Sequence, residues 1–176
     1  GGKVNLLARI HNPGYGHSIL DGLKFAREHS YEFAISMDVD GSHPTSALPT
    51  MIKLLQQTQS DVVVGSRYIT GGGVVGWHLH RKLLSMWSNF YVRTILTVPI
   101  HDMTAGFVGY SSEAISRLLE ANIKSEGYSF AVETKYHLHK SGLIIKEIPI
   151  IFTDRREGKS KMNTKKIWEA VIDVVV

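Results

Sequence analysis

The chain has 176 residues, of which 43% are hydrophobic and 20% charged, enough for one globular domain with its own core. It has no cysteine, so disulfides and thiolate metal sites are excluded. A net charge of +4 points to an anionic partner, but it is too small to choose among nucleic acid, a membrane surface and a phosphorylated substrate.

In chain order, Val4 to Ala8 predicts a short strand and Asn12-Pro13-Gly14-Tyr15-Gly16 a turn. Ser18 to Glu28 predicts a helix with Ile19, Leu20, Leu23 and Ala26 near one face. Phe33 to Met37 reads as a buried strand. Pro44 and Ser46 open a helix to about Gln57, and Asp61 to Gly65 is the next strand, which together make a βαβ unit. The run Thr70-Gly71-Gly72-Gly73-Val74-Val75-Gly76 is expected to hold no regular element, because glycine costs too much entropy there. A long helix is expected from Leu79 to Leu96, a strand from Phe107 to Tyr110, and helices from Ser112 to Ala121 and Phe130 to Lys140. Leu143 to Thr153 predicts one long strand, Asp154 to Ser160 a charged loop, and Thr164 onward a final helix. The alternation predicts an α/β fold with a mostly parallel sheet flanked by helices. No apolar run reaches the ~20 residues that span a bilayer. Both ends fall inside regular patterns, so a piece of a longer protein is expected.

The most informative stretch is Asp38-Val39-Asp40, which ends an apolar strand and is followed by Gly41-Ser42-His43-Pro44. Residues i and i+2 of a strand point the same way, so two carboxylates converge unless the turn is simply solvated. A hard divalent ion is commonly held by one or two carboxylates, with substrate phosphates completing its shell. Ligands of α/β sheets bind at the carboxyl ends of strands, where this pair lies. Four further patches could surround it. Arg67 follows a strand in Gly65-Ser66-Arg67-Tyr68. Arg81, Ser85 and Asn89 recur every four residues on one helix face. Asp102 lies in His101-Asp102-Met103-Thr104-Ala105-Gly106-Phe107, and the last patch is Asp154-Arg155-Arg156-Glu157-Gly158-Lys159-Ser160-Lys161. Each alone reads as ordinary surface charge; together they suggest a phosphate-handling site, since a guanidinium matches phosphate oxygens as a fork.

These motifs, in this order with Gly71-Gly72-Gly73-Val74-Val75 and Ser125-Glu126-Gly127-Tyr128-Ser129-Phe130, resemble the dolichol-phosphate (polyprenyl-phosphate) mannosyltransferases. The likeness runs from about residue 5 to 165. It implies a GT-A-like, Rossmann-like fold and inverting transfer of mannose from GDP-mannose to dolichyl or polyprenyl phosphate. It also implies that Asp38 and Asp40 bind Mg2+ or Mn2+ bridging the donor diphosphate. Arg67, Arg81 and Ser85 match positions that hold the acceptor phosphate or line its channel. Arg155, Ser160 and Lys161 match a loop that closes over the phosphates, and Asp102 matches a polar active-site position. The implied location is the cytoplasmic face of a membrane. Partners are then the nucleotide sugar, the lipid phosphate and the membrane surface, with no nucleic acid. Two alternatives are another nucleotide sugar, such as UDP-glucose, and an inactive scaffold.

Relatives begin with a Pro-x-Tyr-Asn-Glu-like strand and an Asp-Asp-Gly-Ser-like turn, which hold base and ribose; neither is present here. The reading is therefore a catalytic domain over 1–162 that lacks its first strands. Residues 163–176, with Lys165 and Lys166 leading into Ile167, Trp168, Val171 and Ile172, read as an amphipathic or membrane-interface helix. Ser42 stands where some relatives carry a longer metal-coordinating side chain. The pairs His78-x-His80 and His137-x-His139 have no third ligand at metal spacing.

Overall fold

In a computed structural model of the chain, residues 4–8, 14–57, 60–123 and 125–154 are described. The run Val62-Val63-Val64 shows how the core is made. As a strand it sends Val62 and Val64 to one face of a sheet and Val63 to the other, and all three are fully buried. Both faces must then be covered by helices.

The elements are α1 (Tyr15–Glu28), β1 (Phe33–Ser36), a 3-10 turn (Thr45–Ala47), α2 (Leu48–Gln56), β2 (Val62–Ser66), β3 (Gly73–Val75) and α3 (Leu79–Leu96). They continue with β4 (Val108–Ser111), α4 (Ser112–Glu120), α5 (Gly127–Lys140), β5 (Ile145–Pro149) and β6 (Ile151–Thr153). The main sheet has the order β1-β4-β2-β5, and β3 pairs with β6 in a second, two-stranded sheet. On one face of the main sheet, Leu23 and Ala26 of α1, Ile115 and Leu118 of α4 and Leu138 of α5 pack on Val62, Val64, Val108 and Tyr110. On the other face, Met51 and Leu55 of α2 pack with Val63, Phe107, Ile148 and Ile150. A third cluster joins Val92 of α3 to Val98, Ile100, Met103 and Val132 of α5.

Four expectations are corrected. First, β1 and β2 run parallel but are not neighbours; β4 lies between them, antiparallel to both, and only β5 pairs parallel with β2. Gly109 lets α2 cross directly over the inserted strand, since a Cβ there would meet Leu55 Cδ1 at 2.9 Å. Second, Val4 to Ala8 forms no strand and is exposed, with Val4 at 97%. Third, the glycine-rich run does hold a strand, β3. Gly71 makes the turn before it with φ +88, and a Cβ on Gly72 would stand 2.6 Å from the Ser66 carbonyl. Fourth, the expected strand 143–153 breaks at Ile150, because the chain changes sheet there. The Ile150 N–H donates to Ser66 O while its carbonyl accepts from Gly73 N.

Helix α3 spans the residues expected of it, and α4 opens on Ser111, whose Oγ accepts from Ala114 N at 3.2 Å. The charged loop from 155 and the final helix from 164 lie outside the described residues.

Candidate active site

Because β4 is reversed, its first residue lies at the same end of the sheet as the last residues of β1 and β2. The segments 37–43, 67–68 and 102–107 therefore meet there. They border a cavity of about 260 Å3, lined by Asp38, His43, Arg67, Trp77, Arg81, Thr104, Tyr128, Phe152 and Asp154 among others.

Asp38 lines this cavity, and among the described residues none donates a hydrogen bond to its carboxylate. Its backbone N–H donates to His43 Nδ1 at 3.2 Å, so the neutral His43 ring carries its proton on Nε2. His43 is stacked on Phe107 with centroids 5.1 Å apart; burial lowers its pKa, with Asp38 opposing. Asp40 is placed differently. Its Oδ1 accepts from Ser42 N at 3.0 Å and from Ser42 Oγ at 2.6 Å, closing a turn through Gly41 at φ +76. Among the described residues no group of three or more His, Cys, Asp and Glu could hold a metal alone. An open carboxylate beside a cavity, with a second one two residues on, does suit a hard ion completed by phosphate oxygens.

Arg67, which also lines the cavity, belongs to an ion pair. Arg67 donates to Asp102 from its backbone N–H at 3.0 Å, from Nε at 2.8 Å and from Nη2 at 2.7 Å. Arg67 Nη2 also donates to Thr104 Oγ1 at 2.8 Å. Burial alone would raise the Asp102 carboxyl, but the Arg67 guanidinium overrides it and holds the acid below the usual carboxylate range. Burial would likewise lower Arg67, and Asp102 raises it instead. Asp102 has 0% exposure and lies behind Arg67, which it holds.

The face of α3 that carries Arg81, Ser85 and Asn89 does turn toward this ion pair. Asn89 accepts from Thr104 N and donates to Thr104 Oγ1, both at 3.2 Å. Ser85 Oγ accepts from the Tyr68 hydroxyl at 2.6 Å, so its hydroxyl already has a protein partner. Arg81 lines the cavity and pairs with both oxygens of Asp154 at 3.4 Å. Arg155, Ser160 and Lys161 lie outside the described residues.

Several supporting residues escaped the reading of the sequence. Glu147 accepts from His101 N at 2.9 Å and Asp102 N at 3.0 Å, fixing the start of the acidic loop. Lys135, 2% exposed, donates to Met103 O at 3.0 Å, Ala105 O at 2.7 Å and Ala131 O at 3.1 Å. Burial pulls its pKa down to about 7 while Asp102 opposes; three carbonyls match the three N–H bonds of an ammonium. A lysine on the buried face shared by Ala131 and Leu138 was the available signal. Trp77 and Phe152 carried no spacing that would have marked them.

The family model for glycosyl transferase family 2 matches residues 1–119. The chain is 33% identical over 172 residues to the undecaprenyl-phosphate mannosyltransferase of Micrococcus luteus, covering 98% of this chain and 70% of that protein. It is 34% identical to the polyprenol monophosphomannose synthase of Mycolicibacterium smegmatis, covering 98% of this chain and 64% of the relative. In structure it resembles glucosyl-3-phosphoglycerate synthase of Mycobacterium tuberculosis solved with Mn2+ and UDP-glucose. That match has TM-score 0.59 and 15% identity, and covers 94% of this chain but 53% of the other. The fold is thus shared, and the chain spans little more than half of that solved structure.

Proposed function

The chain belongs to glycosyl transferase family 2, and on that premise we propose that it carries the catalytic core of a polyprenyl-phosphate mannosyltransferase. The donor in this reading is GDP-mannose, the acceptor a dolichyl or polyprenyl phosphate, and the transfer inverts the sugar. One observation carries it: a single cavity at the strand ends is lined both by an open carboxylate, Asp38, and by the guanidiniums of Arg67 and Arg81. Two anionic reactants need that arrangement. Both named relatives are mannosyl-transferring enzymes of lipid phosphates, which supports the choice of sugar and acceptor.

Asp38 and Asp40 would hold Mg2+ or Mn2+, which when bound neutralises charge on the departing nucleoside diphosphate. The acceptor phosphate is largely ionised at neutral pH, because its second pKa is about 6. It therefore attacks without a strong general base. One of its oxygens forms the bond to the anomeric carbon as the bond to the diphosphate breaks. Displacement from the opposite face inverts that carbon. The protein's task is to hold the acceptor phosphate in line, and Arg81 and Arg67, which both line the cavity, are the cations that would do so. Thr104 and Asn89 keep the Arg67 side rigid.

A membrane-bound acceptor also needs a surface to meet. Leu79, Leu83, Met86, Trp87 and Phe90 are all exposed on α3, Leu79 at 70% and Phe90 at 64%. At 100° per residue they fall within an arc of about 100°, away from the Arg81 face. That apolar stripe supports a peripheral position at a membrane. Among the described residues no helix is long and apolar enough to cross one.

The test uses the full-length protein with radiolabelled GDP-mannose, polyprenyl phosphate and Mg2+ or Mn2+. Lipid-linked mannose is expected. A panel that includes UDP-glucose identifies the donor, and no transfer to lipid from any nucleotide sugar would overturn the reading.

A further inference from the structure

Between the two arginines stands a residue that the transfer chemistry does not itself require. Trp77 lies between β3 and α3 and lines the cavity. Arg81 Cζ is 4.0 Å from its ring centroid and Arg67 Cζ is 5.5 Å from it. Phe152 meets the same ring nearly edge-on, with centroids 5.7 Å apart. Arg81 also pairs with Asp154, at 3.4 Å to each carboxylate oxygen.

The indole also carries a cost. Its Nε1–H is buried and, among the described residues, has no hydrogen-bond acceptor. Buried donors are rarely left this way, because the lost solvation is not recovered. Phe or Leu would fill apolar space without that loss. What the indole adds is the strongest π face available for a cation. Two guanidiniums repel each other, and the negative face of one ring lowers the cost of bringing both to one wall.

We infer that Trp77 is a positioning residue for the cationic wall: its face holds the Arg81 guanidinium, beside Arg67, in place for a phosphate bound in the cavity. The inference rests on the phosphate-acceptor reading above, and it assigns Trp77 no contact with the reacting atoms. It makes the face of the ring, rather than its N–H, the working part.

The experiment compares the full-length parent with Trp77→Phe and Trp77→Leu. Calorimetry measures binding of geranyl phosphate, a soluble isoprenyl phosphate, and steady-state transfer gives separate KM values for donor and acceptor. Trp77→Phe keeps a π face and removes the orphan N–H. It should leave the thermal midpoint unchanged or raised and weaken geranyl phosphate binding about 3-fold. Trp77→Leu should weaken binding about 10-fold or more. In both variants acceptor KM should rise while donor KM stays at the parent value. A merely structural role would lower the folded fraction and leave both KM values alone. Parent-like affinity for geranyl phosphate in the variants overturns the inference; if Trp77→Leu does not fold, Trp77→Phe decides alone. A parent that binds geranyl phosphate but transfers no sugar sinks the proposed reaction and leaves the binding comparison to judge Trp77. A parent that does not bind it overturns the inference.

Discussion

On the cationic side of the cavity, Arg67 is tied to Asp102 through backbone and side chain, while Thr104, Asn89, Glu147 and Lys135 brace the same loop. On the acidic side, no described residue donates to the Asp38 carboxylate, and Asp40 is satisfied by its own turn with Ser42. The first side is finished within the protein; the second leaves a carboxylate available to something else. Arg67 and Arg81 differ in the same sense. Asp102 largely neutralises Arg67 behind the wall, whereas Arg81 and Asp154 line the cavity themselves and pair at 3.4 Å. Stability should therefore reside mainly in the Arg67 network, and ligand charge mainly in Arg81 and Asp38.

That contrast can be broken by four measurements, taken in order of their expected effect on stability. Asp102→Ala leaves the Arg67 guanidinium buried and unpaired, which should cost about 3–5 kcal/mol in urea unfolding. A cost below about 1 kcal/mol would show that the network is not what holds the wall. Acid should act on the same pair. The folded-state pKa of Asp102 lies below its ordinary value of 3.8. Its stabilisation is thus complete above that value and is lost as pH falls through the folded value. Urea midpoints followed from neutral pH into that acid range should drop more steeply in the parent than in Asp102→Asn. Equal slopes would count against the assignment.

Arg81→Gln should change stability by less than about 1 kcal/mol, because its ion pair is partly exposed and long. It should nevertheless raise acceptor KM about tenfold or more through the loss of a charge-assisted phosphate contact. An unchanged acceptor KM would remove Arg81 from the phosphate site. Smallest in stability is Asp38→Asn, expected within about 0.5 kcal/mol of the parent. Its Mn2+-dependent sugar transfer should be abolished, and transfer that persists would dissociate Asp38 from the metal.

How much of this was readable in the sequence follows from how local each signal was. Helix α3 was legible from Leu79 to Leu96 because a long apolar period repeats there, and the shared face of Arg81, Ser85 and Asn89 follows from helix geometry. Strand β3 was not legible. Its glycines argue against a strand, and its partner Ile151 is 78 positions away from Gly73. The insertion of β4 between β1 and β2 is likewise a long-range outcome that alternation of elements cannot reveal. The motifs named Arg67 and Asp102 separately, but nothing local says that residues 35 apart form a buried pair. The motif marks Asp102 as a polar active-site position, and its burial against Arg67 is the part that only the fold shows.

Lys135 has a consequence for chemical reactivity. Its amine is 2% exposed and bonded to three carbonyls, while Lys24 has a side chain 61% exposed. An acylating reagent should label Lys24 at once. It can reach Lys135 only when α5 parts from the loop that carries Asp102. The lag between the two lysines would be a clock for how often the floor of this cavity opens.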